Sequence, residues 1–140
     1  MITYLENELT VEDYLKLRAK VNWKPLSVPQ AEQAIKNSLY IVTAIEDGQL
    51  IGMGRIVGDG AVICYVQDLI VVPDAQSKGV GSKILKRLQS YVNSLRMEHS
   101  EMMLCLMCAK GRESFYVSNG FLARPTDNLG PGMIMYLNGE

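Results

Sequence analysis

The chain has 140 residues, of which 48% are hydrophobic and 21% charged, with a formal net charge of −1. That length supports one domain with its own core, and the composition excludes a disordered or fibrous chain. The near-neutral charge gives no electrostatic reason to expect a nucleic-acid partner, and no apolar run approaches the ~20 residues that span a bilayer.

The first residues, Met1-Ile2-Thr3-Tyr4-Leu5-Glu6, lack the basic region and long apolar stretch of a signal peptide. The expectation is a single cytoplasmic domain over residues 1–140 with no membrane contact. Ile2 to Glu6 reads as a first strand. Thr10, with Asp13 three residues later, marks a helix start whose continuation carries Tyr14, Leu15, Leu17, Arg18 and Val21. Trp23-Lys24-Pro25 ends that helix, and Pro29 suits the start of a second one bearing Ala31, Ala34, Ile35 and Leu39.

From Tyr40 the period changes to that of strands. Tyr40 to Ile45 and Leu50 to Val57 flank Asp47-Gly48, a hairpin signal. Asp59-Gly60 makes a second turn before a long strand from Ala61 to Val72. A helix follows with Ile84, Leu85, Leu88, Tyr91, Val92 and Leu95 on one face, and Lys83, Lys86, Arg87 and Arg96 largely on the other. Next come a strand over Met102 to Met107, a short helix over Arg112 to Ser118 and a last strand over Met133 to Leu137.

The cysteines are Cys64, Cys105 and Cys108. An odd count without an export signal points to reduced thiols. Cys105 and Cys108 form a C-x-x-C pair, but with no second pair, one histidine (His99) and an apolar setting, core packing is expected rather than a metal or redox site.

Between the long strand and its helix lies Gln76-Ser77-Lys78-Gly79-Val80-Gly81-Ser82-Lys83. Gly79 and Gly81 let backbone approach a ligand, and the helix start behind them offers unpaired N–H groups to an anion. Neither better-known phosphate loop fits. Gly81 is not followed directly by lysine, as in a P-loop, and Ile84 stands where a dinucleotide fingerprint needs its third glycine.

The spacing of Gln76, Gly79 and Gly81 resembles (Gln/Arg)-x-x-Gly-x-(Gly/Ala), motif A of the GNAT superfamily of N-acetyltransferases. The resemblance covers essentially the whole chain. It implies an α+β fold with a mixed, mainly antiparallel sheet flanked by helices and splayed between the motif strand and the next one. It further implies that Gln76 to Lys83 hold the pyrophosphate of acetyl-coenzyme A, and that Leu69, Ile70, Val71 and Val72 pair with its pantetheine arm. No metal is implied.

Transfer of an acetyl group from a thioester to an amine requires a neutral amine, stabilisation of the thioester oxygen and a proton for the leaving thiolate. Phe115-Tyr116-Val117-Ser118-Asn119-Gly120-Phe121 is similar to the family's aromatic-Tyr-x-x-x-Gly-Phe segment, which implies Tyr116 as general acid. The family's cofactor-contacting asparagine shortly before that tyrosine has no counterpart in Ala109-Lys110-Gly111-Arg112. A backbone N–H near Ile70 or Val71 is the implied oxyanion donor. Asp68, the one acidic residue between Ala61 and Val72, is open to two roles: general base, or a structural hydrogen-bonding group at a bulge. The base of several relatives falls nearer Tyr65, and a water chain is a third route. Substrate contacts are implied for Trp23, Arg55, Tyr65 and the Arg124 to Met133 segment. The expected partner is a small-molecule amine or a peptide amino group, with a homodimer as a further expectation. The alternative is a non-catalytic acyl-CoA-binding regulatory module.

Overall fold

Thr10 adopts extended backbone and its hydroxyl accepts from the Asp13 N–H at 3.1 Å, satisfying one of the donors that a helix start leaves unpaired. Helix α1 (Val11–Lys20) begins there, after strand β1 (Ile2–Glu6). Ser27 caps helix α2 (Val28–Lys36) in the same way. These assignments come from a computed structural model that describes residues 1–139. The chain divides into two compact units, Met1–Leu106 and the part from Met107 onward.

In the first unit, β2 (Tyr40–Glu46) and β3 (Gln49–Gly58) are joined by Asp47 and Gly48, both at positive φ (51° and 75°). That is the turn geometry that matches strand twist, and it accounts for the Asp-Gly signal. Strand β4 (Ile63–Val71) starts two residues later than its apolar run. The reason is Asp59, whose carboxylate accepts the N–H groups of Ala61, Val62 and Ile63 at 2.8–3.0 Å and removes them from the ladder. A single 3-10 turn at Pro73–Ala75 leads through the loop into helix α3 (Val80–Leu95), and β5 (Met103–Leu106) closes the unit.

The sheet order is β1-β2-β3-β4-β5, antiparallel except for the parallel β4–β5 pair. Strand β5 pairs only with Ile63 to Val66 of β4. From Gln67 to Val71, β4 therefore has no β5 partner, which is the splay that the family resemblance implies.

Helix α3 lies on one face of this sheet, burying Ile84, Leu85, Leu88 and Val92. Gly52 and Gly54 of β3 permit the close approach: a Cβ on Gly54 would meet Ile84 Cγ2 at 2.6 Å and Leu88 Cδ1 at 2.9 Å. Alternation along β3 puts Met53, Arg55 and Val57 on the opposite face, toward α1 and α2.

In the second unit, helix α4 (Glu113–Ser118) ends in a Schellman motif. The Phe121 N–H reaches the Tyr116 carbonyl at 3.1 Å, the Gly120 N–H reaches that of Val117 at 3.1 Å, and Gly120 sits at φ 96°. Two sequence expectations fail in this unit. Met133 to Leu137 are not a strand: they pair with no ladder, and their side chains are 66–88% exposed. An apolar run becomes a strand only where an edge receives it. Cys108 is exposed rather than in the core, because β5 stops at Leu106. No helix is long and apolar enough to cross a membrane among the described residues.

Candidate active site

The loop between β4 and α3 is the first part of the candidate site. Gln76 turns its side-chain amide back onto the Val71 carbonyl at 3.0 Å, tying the loop to the strand end. Ser77 and Gly79 both take left-handed backbone (φ 69° and 80°), and Gly79 is the N-cap of α3 with no described side chain capping it. The first intrahelical bond runs from the Lys83 N–H to the Gly79 carbonyl at 3.1 Å. The N–H groups of Val80, Gly81 and Ser82 in the first turn thus lack helical acceptors, and they sit at the positive end of a 16-residue helix. Gln76, Ser77, Lys78 and Gly79 are exposed, while Ala75 and Val80 anchor the loop in the core at 3% and 1% exposure.

Space and charge in the loop suit an anion. A Cβ on Gly79 would touch nothing within 4 Å. The Lys78 ammonium lies 3.5 Å from Glu46, a half-exposed pair of little energetic weight that leaves the cation near the loop. Lys83 is exposed one turn into α3 and Ser82 is half-buried. Leu69 to Val71 lie in the part of β4 beyond β5, and the Val72 N–H is taken by Ile51 at 2.9 Å.

The second candidate part is a buried charged cluster on the α1/α2 face of the sheet. Asp68 is 1% exposed. Arg55 Nε donates to its Oδ2 at 2.7 Å, and the Tyr14 hydroxyl donates to the same oxygen at 2.6 Å. Arg18 Nη1 lies 3.6 Å from the other oxygen, Oδ1, which has no hydrogen-bond partner. Burial first, then the Asp68 carboxylate, push the Tyr14 phenol upward in pKa, so Tyr14 stays protonated as the donor. The pairing skips Gln67: Arg55 faces Asp68 and Ile56 faces Val66. This is a bulge, and it turns Asp68 to the face on which Arg55 lies.

Trp23 joins the cluster through Arg18, whose guanidinium carbon sits 5.3 Å from the indole centroid and 5.6 Å from that of Tyr14. Tyr65 stands opposite Val57 in the register, hence on the same face as Arg55. Trp23, Arg55, Tyr65 and Asp68, named separately from sequence, therefore share one face of the sheet. Tyr14 and Arg18 were not singled out as site residues. Their only sequence signal is an aromatic and an arginine four apart on the apolar side of α1.

In the second unit, Tyr116 is wedged between Phe115 and Phe121, with ring centroids at 5.0 and 5.8 Å and edge-on geometry. Burial foremost, with the nearby Cys108 adding to it against Arg112, raises the Tyr116 phenol above its ordinary value of 10.0. In the tail, Arg124 Nε donates to the Gly130 carbonyl at 2.6 Å, closing the Arg124 to Gly130 loop on itself.

Comparison with known proteins agrees with this architecture. Residues 37–122 match the acetyltransferase (GNAT) domain family. An uncharacterized N-acetyltransferase, ycf52-like, of Prochlorococcus marinus is 28% identical over 134 residues, covering 90% of this chain and 72% of that protein. The chain spans only 59–60% of the length of two other curated acetyltransferases that it matches. A probable acetyltransferase of meticillin-resistant Staphylococcus aureus superposes with a TM-score of 0.86 at 29% identity, covering 98% of this chain and 100% of that one. A GNAT family acetyltransferase of Streptococcus pneumoniae superposes with a TM-score of 0.81, also at 29% identity and covering both chains fully. The family match takes in the Gln76 to Gly81 loop, the open stretch of β4 and Tyr116, and the chain belongs to the GNAT acetyltransferase family.

Proposed function

We propose that the protein is an acetyl-CoA-dependent N-acetyltransferase acting on a primary amine, and that residues 1–140 form one catalytic domain, since the family match runs across both units. The observation that carries this reading is the uncapped first turn of α3 behind the Gln76 to Gly81 loop, next to a stretch of β4 without a β5 partner. The free N–H groups of Val80, Gly81 and Ser82, with Lys78 and Lys83, suit the pyrophosphate. The open edge at Leu69 to Val71 suits the amides of the pantetheine arm, whereas Val72, whose N–H and carbonyl are bonded to Ile51 and Ala75, offers it no free backbone group.

Acetyl-CoA supplies an activated acyl carbon and a thiolate leaving group. The amine nitrogen attacks that carbon, the carbon–sulfur bond breaks and the product amide forms, so the thiolate needs one proton and the attacking nitrogen loses one. Tyr116 is the proposed proton donor, and its raised pKa supports the role because burial keeps the phenol protonated beyond its ordinary range. Backbone N–H groups near Ile70 and Val71 are the proposed donors to the thioester oxygen. For Asp68, the short bonds from Arg55 and Tyr14 support the structural role over that of base, and the amine's proton passes to water. Trp23 and Tyr65 mark the acceptor side, while Arg55, buried and bonded to Asp68, holds the cluster behind it.

The test is thiol release from acetyl-CoA across a panel of primary amines, read against hydrolysis without amine. Amine-dependent release with matching N-acetyl product is expected. Bound coenzyme without turnover on any amine would instead favour the acyl-CoA-binding regulatory module.

A further inference from the structure

The two arginines of the buried cluster are used very differently. Arg55 is committed: it donates to Asp68 at 2.7 Å, to the Ser38 hydroxyl at 3.2 Å, to the Ala34 carbonyl at 3.3 Å and to the Tyr14 hydroxyl at 3.4 Å. Arg18 has one short bond, to the Lys24 carbonyl at 2.8 Å, and a long one to Tyr14 at 3.5 Å. Its Nε is buried without a partner, and its contact with Asp68 is 3.6 Å. A guanidinium has five donors, and most of Arg18's are idle.

Charge points the same way. Arg18 and Arg55 carry two positive charges and Asp68 one negative, while Tyr14 is held neutral. No second carboxylate pairs with Arg18 among the described residues. One positive charge is thus left over on a side chain only 13% exposed, a costly arrangement unless an anion arrives. The Arg18 guanidinium carbon sits 5.3 Å from the indole centroid of Trp23, itself half-buried.

We propose that the Arg18–Trp23 corner binds a carboxylate carried by the acceptor, so that the amine substrate is a carboxylate-bearing one of the amino-acid class. The proposal rests on the acetyl-transfer reading above for the word acceptor, though the binding itself can be measured apart from it. One carboxylate neutralises the surplus of one, whereas a phosphate at −1.5 to −2 would overshoot it. The Arg18 guanidinium suits a charge-assisted hydrogen bond to a carboxylate, and the indole beside it supplies apolar surface for the substrate's carbon skeleton. An acceptor without an anion would leave the charge uncompensated.

Trp23 is the one tryptophan of the chain, so its emission reports on this corner. The probe is N-acetylglycine, compared with its neutral amide, titrated into the full-length protein with tryptophan fluorescence as readout. Saturable quenching or shift by the carboxylate is expected, with the amide binding about 10- to 100-fold more weakly, the range for a hydrogen-bonded charge. Arg18→Gln, checked for fold by circular dichroism, should lose that preference, and Arg18→Lys should keep only part of it. Equal binding of carboxylate and amide, no saturable response to either, or a preference that survives in Arg18→Gln would overturn the proposal. Should Arg18→Gln fail to fold, the wild-type comparison and Arg18→Lys decide. Calorimetry with coenzyme A on the same preparation separates the two claims. Coenzyme binding without carboxylate preference removes this inference alone, and carboxylate preference without coenzyme binding removes the acetyl-transfer reading alone.

Discussion

Replacing Asp68 by alanine is expected to destabilise the domain by about 3–5 kcal/mol, the range for removing one partner of a buried ion pair. Asp68 is 1% exposed, and the substitution strands Arg55, whose side chain is 7% exposed, and weakens the hold on Arg18. It also orphans the Tyr14 hydroxyl, which loses its 2.6 Å acceptor. Because α1 meets the sheet through Tyr14 and Arg18, the loss should loosen that helix as well as the cluster. Total stabilities of about 5–15 kcal/mol leave little margin for such a loss. Urea unfolding checks it, with Asp68→Asn expected to fall between alanine and wild type because it retains an acceptor without the charge. A shift below about 1 kcal/mol for alanine, the size of a surface pair, would contradict the buried network.

Tyr116→Phe is expected to lower kcat by about 10²-fold or more with little change in stability, the scale of a general acid's contribution. The ring stays between Phe115 and Phe121, so packing is kept and only the hydroxyl goes. The pH profile supplies a second readout. Wild-type kcat/KM should rise with pH as the acceptor amine, ordinarily titrating near ~10.4, loses its proton. It should fall only when the Tyr116 phenol ionises, above the ordinary 10.0 because burial disfavours the phenolate. In the phenylalanine variant the rising limb persists and the tyrosine-dependent fall disappears. Undiminished kcat in the variant would remove Tyr116 from proton transfer.

Much of the first unit could be read from residues alone, because its signals are local. Thr10 at a helix start, Asp47-Gly48 at a hairpin and Gly79 at the left-handed N-cap each act within a few positions. The splay followed from the family resemblance, and the structure carries it as β5 ending its pairing at Val66. What could not be read depends on partners distant in sequence. Tyr14 and Asp68 are 54 positions apart, and α1 periodicity says that Tyr14 faces inward without saying what it meets. The bulge at Gln67 agrees with the structural role left open for Asp68, but the one-residue register shift that decides which side chains share Arg55's face is not encoded in any apolar pattern. The run Met133 to Leu137 failed as a strand for the converse reason: the sequence shows apolar character, but a strand also needs a ladder to join.

The most direct test of the central claim is a calorimetric titration of acetyl-CoA into the wild-type protein and into Gly79→Glu. The added side chain enters open space, with nothing within 4 Å of its Cβ, and puts bulk and negative charge where the pyrophosphate is proposed to sit. Its φ of 80° makes the substitution strained by about 1–3 kcal/mol, so fold is checked first. Saturable binding to the wild type that disappears in the folded variant is the predicted result. No binding to the wild type, or undiminished binding to the variant, would contradict the assignment of the Gln76 to Gly81 loop as the coenzyme's seat.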